Sequence, residues 1–280
     1  MNKLSIEKRT QVIKALVEGN SIRATCRITN TAKGTVIRLL RDVGKACAEY
    51  QDNKLRNLSC QRIECDEIWS FCYSKEKNIP KDKQGQFGYG DVWTFVAIDA
   101  DMKLVLSWLV GLREPECACE FFKDIKERLS NRVQLTTDGH RMYYQAVSSV
   151  FGDDVDYAML VKYYGVEQDK FGHYSPPKCT STQTKPVNGS PDMRKVSTSY
   201  VERQNLTMRM CMRRFTRLTN AFSKKVENLE YAVALHFMYY NFARPHKTLT
   251  NPYPKTPAMA AKLTDHIWTV EEIVKLTMAC

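Results

Sequence analysis

The feature that most constrains this chain is the order of its apolar periods after residue 62. Ile63 to Tyr73 alternates as a strand. Residues 74–91 are rich in Lys, Gln, Gly and Asp and read as a long loop. Val92 to Ile98 and Leu104 to Leu109 are short apolar runs joined at Asp99-Ala100-Asp101, a composition that predicts a hairpin. Pro115 to Leu129 switches to a helical period on Phe121, Phe122, Ile125 and Leu129. Val133 to Thr137 is strand, Arg141 to Val150 helix, and Tyr157 to Tyr164 strand again. The order β, β, β, α, β, α, β predicts an α/β domain, a mixed sheet with helices packed on it.

The flanks read differently. Residues 1–48 predict three helices. Val12, Ile13, Leu16 and Val17 mark the first, Gly19 and Asn20 stop it, and Ser21 caps a short second one from Ile22 to Ile28. Thr29-Asn30-Thr31 is a turn, and a third helix runs from Ala32 to about Val43. Val36, Leu40 and Val43 share its inner face. Arg38 and Arg41 lie on the opposite face, with Lys33 and Thr35 near the helix start, the pattern of a helix-turn-helix DNA-binding domain. A polar linker is expected at 49–62 and the catalytic unit at 63–245. The Pro-, Ser- and Lys-bearing stretch 166–199 shows no period and is expected to be a flexible insertion that orders on DNA. Helices are predicted from Tyr200 to about Asn220 and from Lys224 to Phe242. Residues 246–280, broken by prolines, are expected to be a tail with short helices, one starting near Thr269.

Charge points to a partner. Residues 1–56 hold 12 Lys or Arg against 5 Asp or Glu, and residues 179–254 hold 12 against 4. Between them 15 stand against 19, so two basic ends flank an acidic middle, within a net charge of +11. That distribution suits a polyanion, most simply double-stranded DNA. A 43% hydrophobic content excludes disorder throughout, and no apolar run is long enough for a membrane helix. The charged start after Met1 carries no leader pattern, so a cytoplasmic, nucleoid-associated protein of a prokaryote is expected. None of the ten cysteines forms a Cys-x-x-Cys pair, and they read as reduced thiols without structural zinc.

Three carboxylates carry the candidate chemistry. Asp66 lies in an apolar strand, where a charge is costly unless paired or bound to a cation. Asp138 closes a short strand, followed by Gly139, which would let the chain turn close to a ligand. Glu202 opens a basic helix. An all-oxygen donor set suits Mg²⁺ or Mn²⁺. At 100° per residue Arg209 and Arg213 fall within about 20° of Glu202 and Arg217 about 60° away, a stripe suited to phosphates. Glu67 is expected on the other sheet face. Asp99, Asp101, Asp153, Asp154 and Asp156 read as turn residues. His140 and His246 are either ligand contacts or packing residues, and Tyr143 and Tyr144 read first as packing.

The stretches Cys65-Asp66-Glu67-Ile68-Trp69-Ser70, Thr136-Thr137-Asp138-Gly139 and Tyr200-Val201-Glu202-Arg203-Gln204-Asn205 resemble the transposases of the insertion sequence 1 family. So do the run from Arg213 to Phe242 and the N-terminal helices. The resemblance spans nearly the whole chain. It implies an Asp-Asp-Glu recombinase with an RNase H-like fold, with Asp66, Asp138 and Glu202 as ligands of two Mg²⁺ or Mn²⁺ ions. It implies binding of terminal inverted repeats, cleavage at the element ends and joining of 3′-hydroxyls to target DNA. The basic residues Arg203, Arg209, Arg213, Arg214 and Arg217 would hold backbone phosphates, in a homodimer or higher oligomer. Two features depart from the family: there is no N-terminal Cys cluster, and 251–255 looks like a local insertion. The alternatives are a metal-dependent nuclease on the same scaffold and a non-catalytic helix-turn-helix DNA-binding protein.

Overall fold

The computed structural model describes residues 4–165, 179–216, 220–250 and 253–278. Three helices come first: α1 (Ile6–Val17), α2 (Ile22–Thr29) and α3 (Lys33–Lys54). Ser5 Oγ accepts from the Lys8 amide at 3.3 Å and Ser21 Oγ from the Ala24 amide at 3.1 Å, so a serine caps each of the first two. Gly19 takes φ +80° between them, and a Cβ there would meet the Cys211 carbonyl oxygen at 3.0 Å. Backbone conformation and close approach both call for glycine at that corner. Asn30 ends α2 in the left-handed region at φ 44°.

The third helix corrects the expected linker. Residues 49–54 continue α3 instead of leaving it, and Leu55 and Leu58 are buried beyond its end. Gln51 shows why: it is fully buried, and its amide donates to the Ala234 carbonyl at 3.1 Å. A polar composition there belongs to a helix with one packed side.

The sheet follows. Its strands are β1 (Arg62–Cys72), β2 (Gly90–Asp99), β3 (Val105–Gly111), β4 (Gln134–Asp138), β5 (Asp156–Tyr164) and β6 (Cys179–Asn188). Their order is β3-β2-β1-β4-β5-β6. β1, β4 and β5 are parallel, while β2, β3 and β6 run against their neighbours. This mixed sheet with flanking helices is compatible with an RNase H-like fold. Strand β6 is a second correction, since 179–188 lies within the expected flexible insertion. Its residues are exposed on both faces, so no apolar alternation marks it, and Pro186 sits beside a register irregularity. Those are the traits of an edge strand. Residues 166–178, the rest of that insertion before β6, lie outside the described residues.

Two helices, α4 (Pro115–Arg128) and α5 (Arg141–Phe151), cover one face. There the Phe95 ring lies 5.6 Å from Phe121 and 6.3 Å from Tyr143. The other face carries α6 (Ser199–Cys211) and α7 (Val226–Met238), with Trp108 5.1 Å from Phe237. α7 runs into a π-helical turn, Tyr239–Ala243. α3 packs along α7 so closely that a Cβ on Gly44 would meet Tyr231 Cβ at 2.5 Å. The last helices, α8 (Pro257–Ala260) and α9 (Val270–Lys275), are short and pack back on the body. Val270, Ile273 and Val274 of α9 are buried, and Trp268 lies 5.1 Å from Tyr50 of α3. Each fully buried aromatic or aliphatic side chain in such a core contributes roughly 1.5–3 kcal/mol.

Candidate active site

Parallel pairing of β1 with β4 sets the site. Cys65 lies opposite Thr137, so one step on Asp66 and Asp138 stand side by side where β4 ends. Beyond that point, among the described residues, no strand pairs with the β4 edge of β1, and only a single bridge from Cys72 to Ser223 covers its far end. Glu67 springs from the opposite face, as its pairing with Phe95 requires. Its carboxylate nevertheless comes round the end of β4. Asp66, Glu67 and Asp138 each place an oxygen within 4.8 Å of the others. Strict alternation had separated Glu67 from the pair. A strand end without a neighbour is where that rule stops deciding side-chain reach.

Glu67 is buried and doubly held: Arg113 pairs with it at 2.5 Å, and the Tyr143 hydroxyl donates to it. Tyr143 is therefore more than helix packing. Burial, then the charges of Glu67 and Asp138, push the Asp66 carboxyl up to about 7. Burial followed by Glu67 also raises Asp138, against the backbone amide of His140, which donates to it at 3.0 Å. His140 itself caps α5 by accepting from the Met142 amide. The close approach at Gly139 is to the Val161 side chain, 2.8 Å from where a Cβ would sit.

Glu202 lies on α6, which crosses this face of the sheet. Buried Glu64 of β1 accepts from the Tyr200 and Val201 amides at 2.7 and 3.1 Å, pinning the first turn of α6 to the strand. One helical turn on, Asn205 donates to Asp66 at 2.9 Å. Glu202 is not within the three-carboxylate group: Lys162 of β5 and the Thr198 hydroxyl both hold its Oε1. Its charge still reaches Asp66 and adds to the upward push. Of the three expected acids, two are brought together and the third stands at the rim on an ammonium group.

The donor set fits a hard divalent cation. It is all oxygen, the charge of Glu67 raises both Asp66 and Asp138, and Asn205 Oδ1 is buried beside Asp66 with no partner among the described residues. Such a group, where present, would be held by Asp66 and Asp138, with Glu67 beside them and Glu202 at the rim.

The basic residues divide. Lys33, Arg38 and Arg41 are exposed along α3 and Thr35 is half-buried, at the start of a helix whose N-cap, Ala32, offers no side-chain bond. Arg203 is exposed on α6 and Arg209 half-buried. The expected single stripe is corrected at Arg213, because α6 ends at Cys211 and Met212 turns extended so that it and Phe215 enter the core. Arg214 points inward, its Nε donating to Ser223 Oγ at 2.8 Å. Arg217 lies outside the described residues. His246 accepts within its own turn from the Thr248 amide.

No family model matches the chain, and no curated protein matches it. Among solved structures, a chain from the crystal structure of the Mos1 strand transfer complex matches at 11% identity and a TM-score of 0.23. The match covers 54% of this chain and 57% of that one, so the chain spans a little over half the length of that neighbour. A similarity of this size assigns neither fold nor activity.

Proposed function

We propose that the chain is a DNA transposase of the Asp-Asp-Glu type. Asp66 and Asp138, with Glu202 from α6, would bind Mg²⁺ or Mn²⁺, two ions in the complete site. What carries the reading is the pairing of Asp66 and Asp138 at the end of adjacent parallel strands, beside a helix that Glu64 and Asn205 fasten over them. Bound metal would supply charge stabilisation for in-line displacement at a phosphodiester. The chain's own residues do the rest. Glu67, held by Arg113 and Tyr143, lines the floor. Lys162 holds Glu202 at the rim. Lys33, Thr35, Arg38 and Arg41 would meet the terminal inverted repeats, and Arg203, Arg209 and Arg213 the backbone of the same DNA. Two element ends handled together ask for at least a homodimer.

A strand-transfer assay tests this. Purified protein is given Mg²⁺ or Mn²⁺ and labelled duplex bearing the inverted repeat that flanks its own gene, with Asp66→Asn as control. Joined products that vanish in the variant are expected. Cleavage without joining would make the protein a nuclease. Binding with neither reaction would leave a DNA-binding protein.

A further inference from the structure

A cavity of about 750 Å³ opens between the N-terminal helices and the chain that follows α6. Its size falls among small-ligand sites, which span roughly 300–1,000 Å³. None of Asp66, Glu67, Asp138 or Glu202 lines it. The floor is apolar, built from Leu16, Ile37, Leu40, Ala232 and Leu235. Around it stand five cations, Arg23, Lys33, Arg213, Arg214 and Lys224, and among the described lining residues there is no Asp or Glu.

Three observations point to an anion with a flat, partly apolar body. None of the five cations is ion-paired with a described carboxylate. Arg214 is the costliest of them: burial pulls it down to about 10, and among the described residues its hydrogen bond is to a neutral group, the Ser223 hydroxyl. Asn20, Ser21 and Ile22 place the positive end of α2 on the same wall. Deeper in, His236 is 7% exposed, and its Nε2 is buried with no partner among the described residues. Asn228 adds an amide to the lining. A fatty anion would leave that imidazole nitrogen unmet, and inorganic phosphate would leave the floor uncovered. A nucleotide has an aromatic face, a hydrogen-bonding edge and a phosphate.

We propose that this cavity binds a nucleotide, its phosphate on the cationic rim and its base on the apolar floor beside His236. The source is either a free mononucleotide or an unpaired nucleotide at the end of a DNA strand, and the same chemistry serves both. The site does not depend on the carboxylate cluster.

Titration calorimetry on the full chain tests it, with dAMP, adenosine, inorganic phosphate and a 5′-phosphorylated tetradeoxyadenylate as probes. dAMP is expected to bind with a Kd below roughly 1 mM, and adenosine and phosphate at least about tenfold more weakly. Arg23→Gln and Lys224→Gln change exposed side chains, and Ala232→Phe fills the floor. Each should weaken dAMP about tenfold or more, while Asp66→Asn leaves it unchanged. A tetranucleotide that competes with dAMP and binds about tenfold tighter identifies the strand end as the source; equal or weaker binding identifies the free nucleotide. The proposal is overturned if dAMP shows no saturable binding or if phosphate alone binds as well. Indifference to both Arg23→Gln and Lys224→Gln, or loss of binding in Asp66→Asn, overturns it too.

Discussion

Asp66 stores its significance in a protonation equilibrium. Its ordinary value is 3.8, and in the folded chain burial and the neighbouring Glu67 and Asp138 raise it to about 7. Between those values the folded state binds more protons than the unfolded one, so stability falls as pH rises through that window. The contribution is full below about pH 4 and lost above about pH 7. Asp66→Asn removes the penalty. In metal-free buffer at pH 8 it should stabilise the protein by roughly 2–4 kcal/mol, with the gain shrinking towards pH 5. Urea unfolding at the two pH values measures this. Added Mn²⁺ should raise the melting temperature of the wild type and leave the variant nearly unmoved. A variant less stable at pH 8 would mean that the carboxylate cluster is already neutralised within the chain.

At the scale of elements, α6 is only as well placed as its first turn. Glu64→Ala removes the acceptor for the Tyr200 and Val201 amides and should cost about 1–3 kcal/mol. Faster hydrogen exchange at those two amides than at the middle of α6 would locate the loss; uniform exchange would place it elsewhere. Glu64 was not read as a candidate, because a Glu two residues before Asp66 carries no signal of which helix will land on it. The legible elements share one property: their apolar side chains either repeat on one face or form a short unbroken run. That holds for β1 to β5, α4, α5 and the capped helices α1 and α2. Strand β6 was illegible because its stability comes from pairing with β5 and from little of its own burial. The far end of α3 was illegible because Gln51, a polar residue, does the packing. The break after Cys211 is illegible because Met208, Met212 and Phe215, spaced four and three apart, would be buried equally well on one side of an unbroken helix. In the site itself, Asp66 and Asp138 could be read from their strands. Glu67 and Asn205 depend on where β4 stops and how α6 crosses, which are tertiary facts.

For the molecule as a whole, the helices before β1 and those after α6 form one packed layer, so the expected boundary near residue 48 is not a boundary in packing. Gly44 against Tyr231 and Gln51 against Ala234 join the two. Gly44→Val forces α3 off α7 and should cost about 1–3 kcal/mol, lowering a single calorimetric transition rather than splitting it. Two separate transitions in the wild type would restore an independent N-terminal domain. This welding also bears on DNA. With α3 packed on α7, the proposed reading is that one duplex meets Arg38, Arg41 and Arg203, all of them exposed. If the proposed DNA reading holds, each phosphate contact releases counterions, and the logarithm of affinity falls with the logarithm of salt by about 0.9 per contact. Arg38→Gln and Arg41→Gln should each flatten that slope by about one. Under that reading Arg203→Gln should do the same on the same duplex, and the three effects should add. A slope that responds to the α3 variants and ignores Arg203→Gln would put DNA on the N-terminal helices alone and leave the carboxylates out of its reach.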